Sequence, residues 1–148
     1  MKRFRGVLLA SAAVAAAIVP AAGAQAAVPR LGTFAGKTSQ GLSIAFTVRG
    51  RVCNRPLCVH NLAVALNEPC SDGSTLSLVF TASPITGDIH VSHVGGFGAK
   101  YASGVRVSGQ FTSRTFVNGR VSDTTTTNAA NGGLRTCSTN VTYTAAKT

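Results

Sequence analysis

The spacing of apolar residues constrains the fold of this chain more than any other feature of its sequence. The clearest run consists of Leu42, Ile44, Phe46 and Val48, which occupy alternate positions. A repeat of two is typical of a β-strand with one buried face, because successive side chains point to opposite sides of a strand. The same spacing returns later, in runs at residues 62–66, 76–80, 105–111, 117–121 and 137–143. The chain is therefore predicted to be all-β.

Turn-forming residues separate these runs at intervals of roughly 10–15 positions, which is typical of a sandwich or small barrel rather than of βαβ units. They are Ser39-Gln40-Gly41, Glu68-Pro69, Asp72-Gly73, Ser83-Pro84, Gly95-Gly96, Asn118-Gly119 and Asn131-Gly132-Gly133. The predicted fold is an antiparallel β-sandwich or a small barrel-like meander. Residues 59–66 tolerate a short helix but are assigned as a strand, because their apolar residues lie two apart. The threonines at 124–127 fit an edge strand or a loop.

The amino terminus has the three zones of a secretory signal peptide. A positively charged start at residues 2–5 precedes an uncharged apolar run at residues 7–19. This run is shorter than the roughly 20 residues that span a bilayer, which disfavours the alternative of an uncleaved anchor. Small residues follow where signal peptidase requires them, so cleavage is expected before Gln25 or before Ala27.

Removal of this signal peptide, residues 1–26, would leave one disulfide-stapled all-β domain at residues 27–148, with no transmembrane segment. We expect this domain to be secreted into the extracellular space, or into the periplasm if the source has an outer membrane. The whole chain has 14 Lys and Arg against four Asp and Glu. Three of the 14 lie in the leader, which leaves 11 against four and a net charge of +7.

Such a basic domain is attracted to anionic surfaces, and five arginines are candidate contacts. Arg49 and Arg51 share the outward face of their predicted strand, and Arg55 lies between two cysteines. Arg106 and Arg120 alternate with, or lie beside, apolar core positions. If these strands are neighbours, the side chains form a patch that binds phosphates or other acidic groups. The expected partner is an anionic cell-wall polymer or another polyanion.

All four cysteines lie beyond the leader, at Cys53, Cys58, Cys70 and Cys137. An even number in an oxidising compartment indicates two disulfides, and four cysteines allow three pairings. We favour a local Cys53–Cys58 bridge and a long Cys70–Cys137 bridge, with the other pairings open. The alternative is a zinc site formed by Cys53, Cys58, His60 and Cys70, but this spacing matches no standard zinc finger.

The sequence predicts no catalytic, cofactor or metal site. It has no Gly-x-Ser-x-Gly elbow for a nucleophilic serine. Paired carboxylates are not expected, because Asp72 and Asp123 are assigned to turns or loops. An unrecognised hydrolase would have to use His60, His90 or His93 as its general base.

The leading hypothesis is therefore a non-enzymatic, exported binding or envelope-associated module. The first alternative is a carrier that holds a small apolar ligand inside a closed barrel. The hydrolase is the second alternative. Nucleic acid is not an expected partner, because the glycine-flanked Phe97 lacks the remaining residues of an RNA-recognition signature.

Several segments of the mature chain carry a family resemblance. They are Gly36-Lys37-Thr38-Ser39-Gln40-Gly41 with Ile44-Ala45-Phe46-Thr47-Val48, Cys70-Ser71-Asp72-Gly73-Ser74, Ser108-Gly109-Gln110-Phe111, Asn118-Gly119-Arg120-Val121, and residues 136–145. These segments resemble the opening strand, cysteine turn, glycine-punctuated meander and closing strand of a group of small exported β-proteins of high-GC Gram-positive, actinobacterial-type bacteria.

The resemblance implies a β-sandwich-like fold and pairing of Cys70 with Cys137. It implies no activity, because that group has none assigned. This chain departs from the group at two places. Cys53 and Cys58 are additional, so the resemblance does not support a bridge between them, and Tyr143 stands where a tryptophan is expected.

Overall fold

The computed structural model describes residues 27–51, 54–82 and 87–148 and arranges them as β-strands without a helix. The strands are β1 Gly32–Thr38, β2 Ser43–Arg49, β3 Cys58–Pro69, β4 Thr75–Ala82, β5 Ile89–His90, β6 Gly96–Lys100, β7 Arg106–Ser113, β8 Phe116–Asn128 and β9 Leu134–Lys147. This confirms the all-β prediction. The predicted signal peptide lies outside the described residues.

The strands form one antiparallel sheet in the order β4-β3-β2-β1-β9-β8-β7-β6, and β5 pairs with β3 beside β4. The sheet curls into a half-barrel. Of the two predicted forms, a sandwich and a barrel-like meander, the structure therefore has the barrel-like one. Its curvature brings Phe46 on β2 within 5.9 Å of Phe97 on β6, measured between ring centroids, although four strands lie between β2 and β6. Phe34 on β1 and Phe111 on β7 complete this aromatic core, with their ring centroids 5.3 Å apart.

The alternating runs lie on strands as predicted, with their apolar side chains on the concave face. Residues 59–66 belong to β3, and the threonines at 124–127 belong to β8. Two turn predictions are wrong. Glu68-Pro69 is the end of β3, and the turn follows it at residues 71–72. Asn118-Gly119 lies within β8, whereas the turn between β7 and β8 is Arg114-Thr115.

Gly119 is explained by the ring of Tyr143 rather than by a turn. The strand register places Gly119 between Tyr143 on β9 and Gly109 on β7. A Cβ atom on Gly119 would collide with the Tyr143 ring and with the carbonyl oxygen of Ser108. The missing side chain therefore leaves room for a large ring over the concave surface of the sheet.

The Tyr143 hydroxyl donates a hydrogen bond of 3.1 Å to the carbonyl oxygen of Ser108. The side chain is buried, and burial raises the pKa of this phenol. We expect Tyr143→Phe to lower the free energy of unfolding by about 1 kcal/mol, because the ring remains and one hydrogen bond is lost. Urea denaturation measures this difference.

Tyr101 provides the matched control for that substitution. Its hydroxyl is also buried but has no hydrogen-bond partner among the described residues. Tyr101→Phe should therefore leave the free energy of unfolding unchanged or raise it slightly. Equal losses in the two variants would contradict the role assigned to the Tyr143 hydroxyl.

The predicted Cys70–Cys137 disulfide is confirmed. β3 and β9 are separated by the β1–β2 hairpin, but both extend past its turn and meet there, where Cys70 and Cys137 form a β-bridge. The N–H of Ser71 continues this contact with a 2.9 Å hydrogen bond to the carbonyl oxygen of Thr136. Because the Cys70 sulfur is bonded to Cys137, the zinc alternative that required its thiolate is wrong.

The local bridge was predicted between Cys53 and Cys58. Cys58 is fully buried at the start of β3 and is disulfide-bonded. Cys53 lies outside the described residues, so the pairing of these two cysteines stays a prediction.

Candidate polyanion-binding surface

One end of the half-barrel collects arginines from separate parts of the chain. At this end β1 and β8 begin, and β2, β7 and β9 finish. We call it the arginine end, and it carries the exposed side chains of Arg30, Arg49, Arg51, Arg55 and Arg114. The backbone N–H of Arg30 donates a 2.8 Å hydrogen bond to the carbonyl oxygen of Arg114. Likewise, the backbone N–H of Arg51 donates a 3.2 Å hydrogen bond to the carbonyl oxygen of Arg55.

Three of these arginines line one open groove of about 520 Å³. Arg30 precedes β1, Arg51 follows β2, and Arg114 lies in the turn between β7 and β8. The groove is also lined by the apolar side chains of Leu31 and Leu57. It therefore combines guanidinium groups, which donate forked hydrogen bonds to phosphates and carboxylates, with apolar surface.

Three of the four acidic side chains lie at the opposite end of the sheet from the arginine end. Asp72 lies in the turn after β3, where it bonds to Ser74 and, at 3.3 Å, to Arg135. Glu68 and Asp123 are buried near the same opposite end of the sheet, whereas Asp88 contacts His60 near the start of β3. Among the described residues, none of the arginines at this end forms an ion pair with a carboxylate. Their positive charge can therefore attract external anions over several ångströms.

The five predicted contact residues do not form a single patch. Arg49, Arg51 and Arg55 lie at the arginine end. Arg106 and Arg120 lie on the exposed face of β7 and β8, where Arg106 pairs with Ser122 and Arg120 pairs with Ser108. These two are diagonal neighbours on adjacent strands, away from the groove.

Sequence reasoning missed Arg30 and Arg114. Neither lies within an alternating run, so strand parity does not bear on them. They meet because residues 27–30 run beside the end of β7, with the N–H of Ala27 bonded to the carbonyl oxygen of Phe111 at 3.2 Å. The only local signal is that each arginine lies at a strand boundary. This position indicates that the side chain is exposed, but it does not indicate that the two side chains lie close together.

His60 and Asp88 form the arrangement closest to a catalytic one. The Nδ1 atom of His60 lies 2.6 Å from a carboxylate oxygen of Asp88, and both side chains are about nine-tenths buried. An oriented histidine supplies two of the three parts of a nucleophilic triad. In the described part of the chain, however, no hydroxyl or thiol is hydrogen-bonded to His60. His90 and His93 are exposed.

Glu68 and Asp123 form a buried carboxyl pair that sequence reasoning missed, because the two were assigned to a turn and a loop. Both lie instead on the concave face of their strands, β3 and β8. The pKa of Glu68 is raised to about 7, chiefly by burial and then by the nearby charge of Asp123. Glu68 is 0% and Asp123 6% exposed, so a substrate has no access to the pair.

The fold and these groups define a disulfide-bridged, all-β half-barrel with an arginine-rich end. Within residues 27–51, 54–82 and 87–148, no three His, Cys, Asp or Glu side chains are grouped to hold a metal ion. The same residues contain no helix long and apolar enough to cross a membrane. Comparison with protein-family models, curated proteins and solved structures finds no match to this chain.

Proposed function

We propose that this protein is an exported, envelope-associated module that binds polyanions at its arginine end. One observation carries the proposal: Arg30, Arg51 and Arg114, from three separate segments, line the same groove. Because none of these guanidinium groups forms an ion pair with a carboxylate among the described residues, they can pair with an external anion. An anionic cell-wall polymer is the partner class that suits an exported protein of this charge.

Binding in this groove would be electrostatic and distributed over several contacts. Arg30, Arg51 and Arg114 would each pair with an anionic group of the polymer, and Arg49 and Arg55 would add attraction from the rim. Each contact displaces a counterion from the polymer, so affinity should fall steeply with salt concentration. The apolar side chains in the groove favour a ligand that also offers a carbon backbone.

The alternative function is a carrier that holds a small apolar ligand inside the barrel. The barrel interior supports this function less well than the surface groove supports polyanion binding. Phe34, Phe46, Phe97 and Phe111 occupy the concave space, with ring centroids 5.3–6.4 Å apart. These rings pack against one another where a carried ligand would have to lie. The proposal therefore rests on the surface groove.

The test removes two arginines from the groove and compares the result with removal of two from elsewhere. We expect Arg30→Ala with Arg114→Ala to weaken binding to immobilised, purified anionic cell-wall polymer about tenfold, and to reduce the slope of log affinity against log salt by roughly one to two. Arg106→Ala with Arg120→Ala removes the same charge from the exposed face of β7 and β8. It should change affinity no more than about threefold.

Two outcomes would count against the groove. Equal weakening by both double variants would mean that only the net charge matters. Polymer binding by the wild-type protein that is absent at low salt, or that salt does not weaken, would refute the electrostatic mechanism itself.

A further inference from the structure

The arginine end also carries a concentration of exposed apolar side chains. In the described ranges, the large apolar residues with at least a third of their surface exposed are Val28, Leu31, Val79, Val94, Phe116 and Leu134. Three of these six, Val28, Leu31 and Phe116, lie at the arginine end. The other three are on β4, in the turn before β6 and at the start of β9. Of these, Val94 lies near Val28, because the adjoining Gly95 packs against Ala27.

These apolar residues are interleaved with the arginines. Val28 and Leu31 flank Arg30, and Leu31 lines the groove that contains its guanidinium. Phe116 follows the turn that carries Arg114 and begins β8. Val28, Leu31 and Phe116 are 54%, 56% and 38% exposed, so each presents apolar surface to solvent beside a positive charge.

A soluble polyanion would neutralise the arginines but would leave much of this apolar surface in water. An anionic lipid bilayer satisfies both groups, because its phosphates pair with guanidinium groups and its acyl boundary accepts apolar side chains. Arginine stems can also lie along apolar surface while their charged ends contact headgroups.

We propose that the arginine end docks onto the surface of an anionic lipid bilayer. In this orientation Val28, Leu31 and Phe116 enter the headgroup region, while the arginines contact lipid phosphates. The half-barrel then stands on the membrane by one end, and the opposite end, with Asp72 and the Cys70–Cys137 bridge, faces away from it. This inference rests on the proposed function, because it uses the same arginines, and it adds a lipid surface to the anionic polymer as a second ligand of the arginine end.

The experiment separates apolar insertion from charge attraction. Protein purified from the medium of cells expressing the full chain is sedimented with vesicles of phosphatidylglycerol and phosphatidylcholine, and with phosphatidylcholine vesicles alone. In parallel, its affinity for long-chain inorganic polyphosphate is measured. We expect Val28→Ser with Phe116→Ser to lower binding to the anionic vesicles about tenfold and to leave polyphosphate binding unchanged, because the charge is retained and neither residue lines the groove.

The matched control is Val79→Ser with Leu134→Ser, which removes two exposed apolar side chains far from the arginine end. It should change neither measurement. Unaltered anionic-vesicle binding in the Val28 and Phe116 variant, or wild-type binding that is as strong on phosphatidylcholine alone, would overturn the membrane inference. If polyphosphate binding persisted in that case, the proposed function would stand. Failure of the wild-type protein to bind either vesicles or polyphosphate would overturn both.

Discussion

Loss of the Cys70–Cys137 disulfide is expected to lower the free energy of unfolding by about 4 kcal/mol. The two cysteines are 67 residues apart in sequence, so the bridge closes a long loop in the unfolded chain. In the loop-entropy model, closure of a loop of this length removes enough conformational freedom to account for about 4 kcal/mol. The bridge also joins β3 to β9 past the β1–β2 hairpin, beside the backbone hydrogen bond from Ser71 to Thr136.

The measurement is urea denaturation of Cys70→Ala with Cys137→Ala under non-oxidising and non-reducing conditions. Alanine suits the site because Cys137 is fully buried and a polar replacement would add a desolvation cost. The hydrogen bond from Ser71 to Thr136 is made by the backbone and remains available. A loss smaller than about 1 kcal/mol would show that the bridge does not constrain the unfolded chain as argued.

The stability of the wild-type protein is expected to fall as pH rises from 4.5 to 8, and Glu68→Gln should abolish most of that decline. The pKa of Glu68 is raised from 4.5 to about 7, chiefly by burial and then by Asp123. The folded protein therefore holds this proton more tightly than the unfolded chain does. The resulting stabilisation is fully present below pH 4.5 and is lost as pH rises through about 7.

A pKa difference of this size corresponds to about 3 kcal/mol at pH 8. Glutamine resembles the protonated carboxyl in shape and cannot ionise, so Glu68→Gln should be more stable than wild type by about that amount at pH 8. At pH 4 the two proteins should have similar free energies of unfolding. Because both proteins contain the same histidines, the contribution of histidine titration cancels in the comparison.

Asp72→Asn provides the control for this pH series. Asp72 is an exposed acid whose pKa is lowered by its hydrogen bonds to Ser74, with a smaller contribution from Arg135. Its contribution to stability is therefore lost only below the pH range of the comparison, and the variant should keep the wild-type decline between pH 4.5 and 8. A Glu68→Gln protein that also kept this decline would refute the role assigned to the buried carboxyl.

Much of the fold was predictable because strand parity is a local property. The alternation of Leu42, Ile44, Phe46 and Val48 determines which side chains share a face, whatever the neighbouring strands are. Ile44, Phe46 and Val48 are indeed buried in the core. Likewise, Cys137 lies on the same face as Tyr143, as its parity in the last run predicted.

The errors arose where a residue's role depends on a partner strand. Asn118-Gly119 has the composition of a hairpin turn, yet Gly119 lies within β8 opposite Tyr143, more than 20 positions away in sequence. Glu68 is a polar residue next to a proline, which favours a turn, yet it extends β3 onto the concave face beside Asp123. Local composition contains no information about such contacts.

The sequence by itself determined the strands, the side of each strand that is buried and the surplus of positive charge, because these follow from local periodicity and residue type. Only the tertiary structure decided which arginines share a groove and which carboxyls meet in the interior. Those groupings depend on strand order and register across the sheet, and many sequences with the same alternation are compatible with different orders. The arginine end exists because the curled sheet brings Arg30, Arg51 and Arg114 to the same rim.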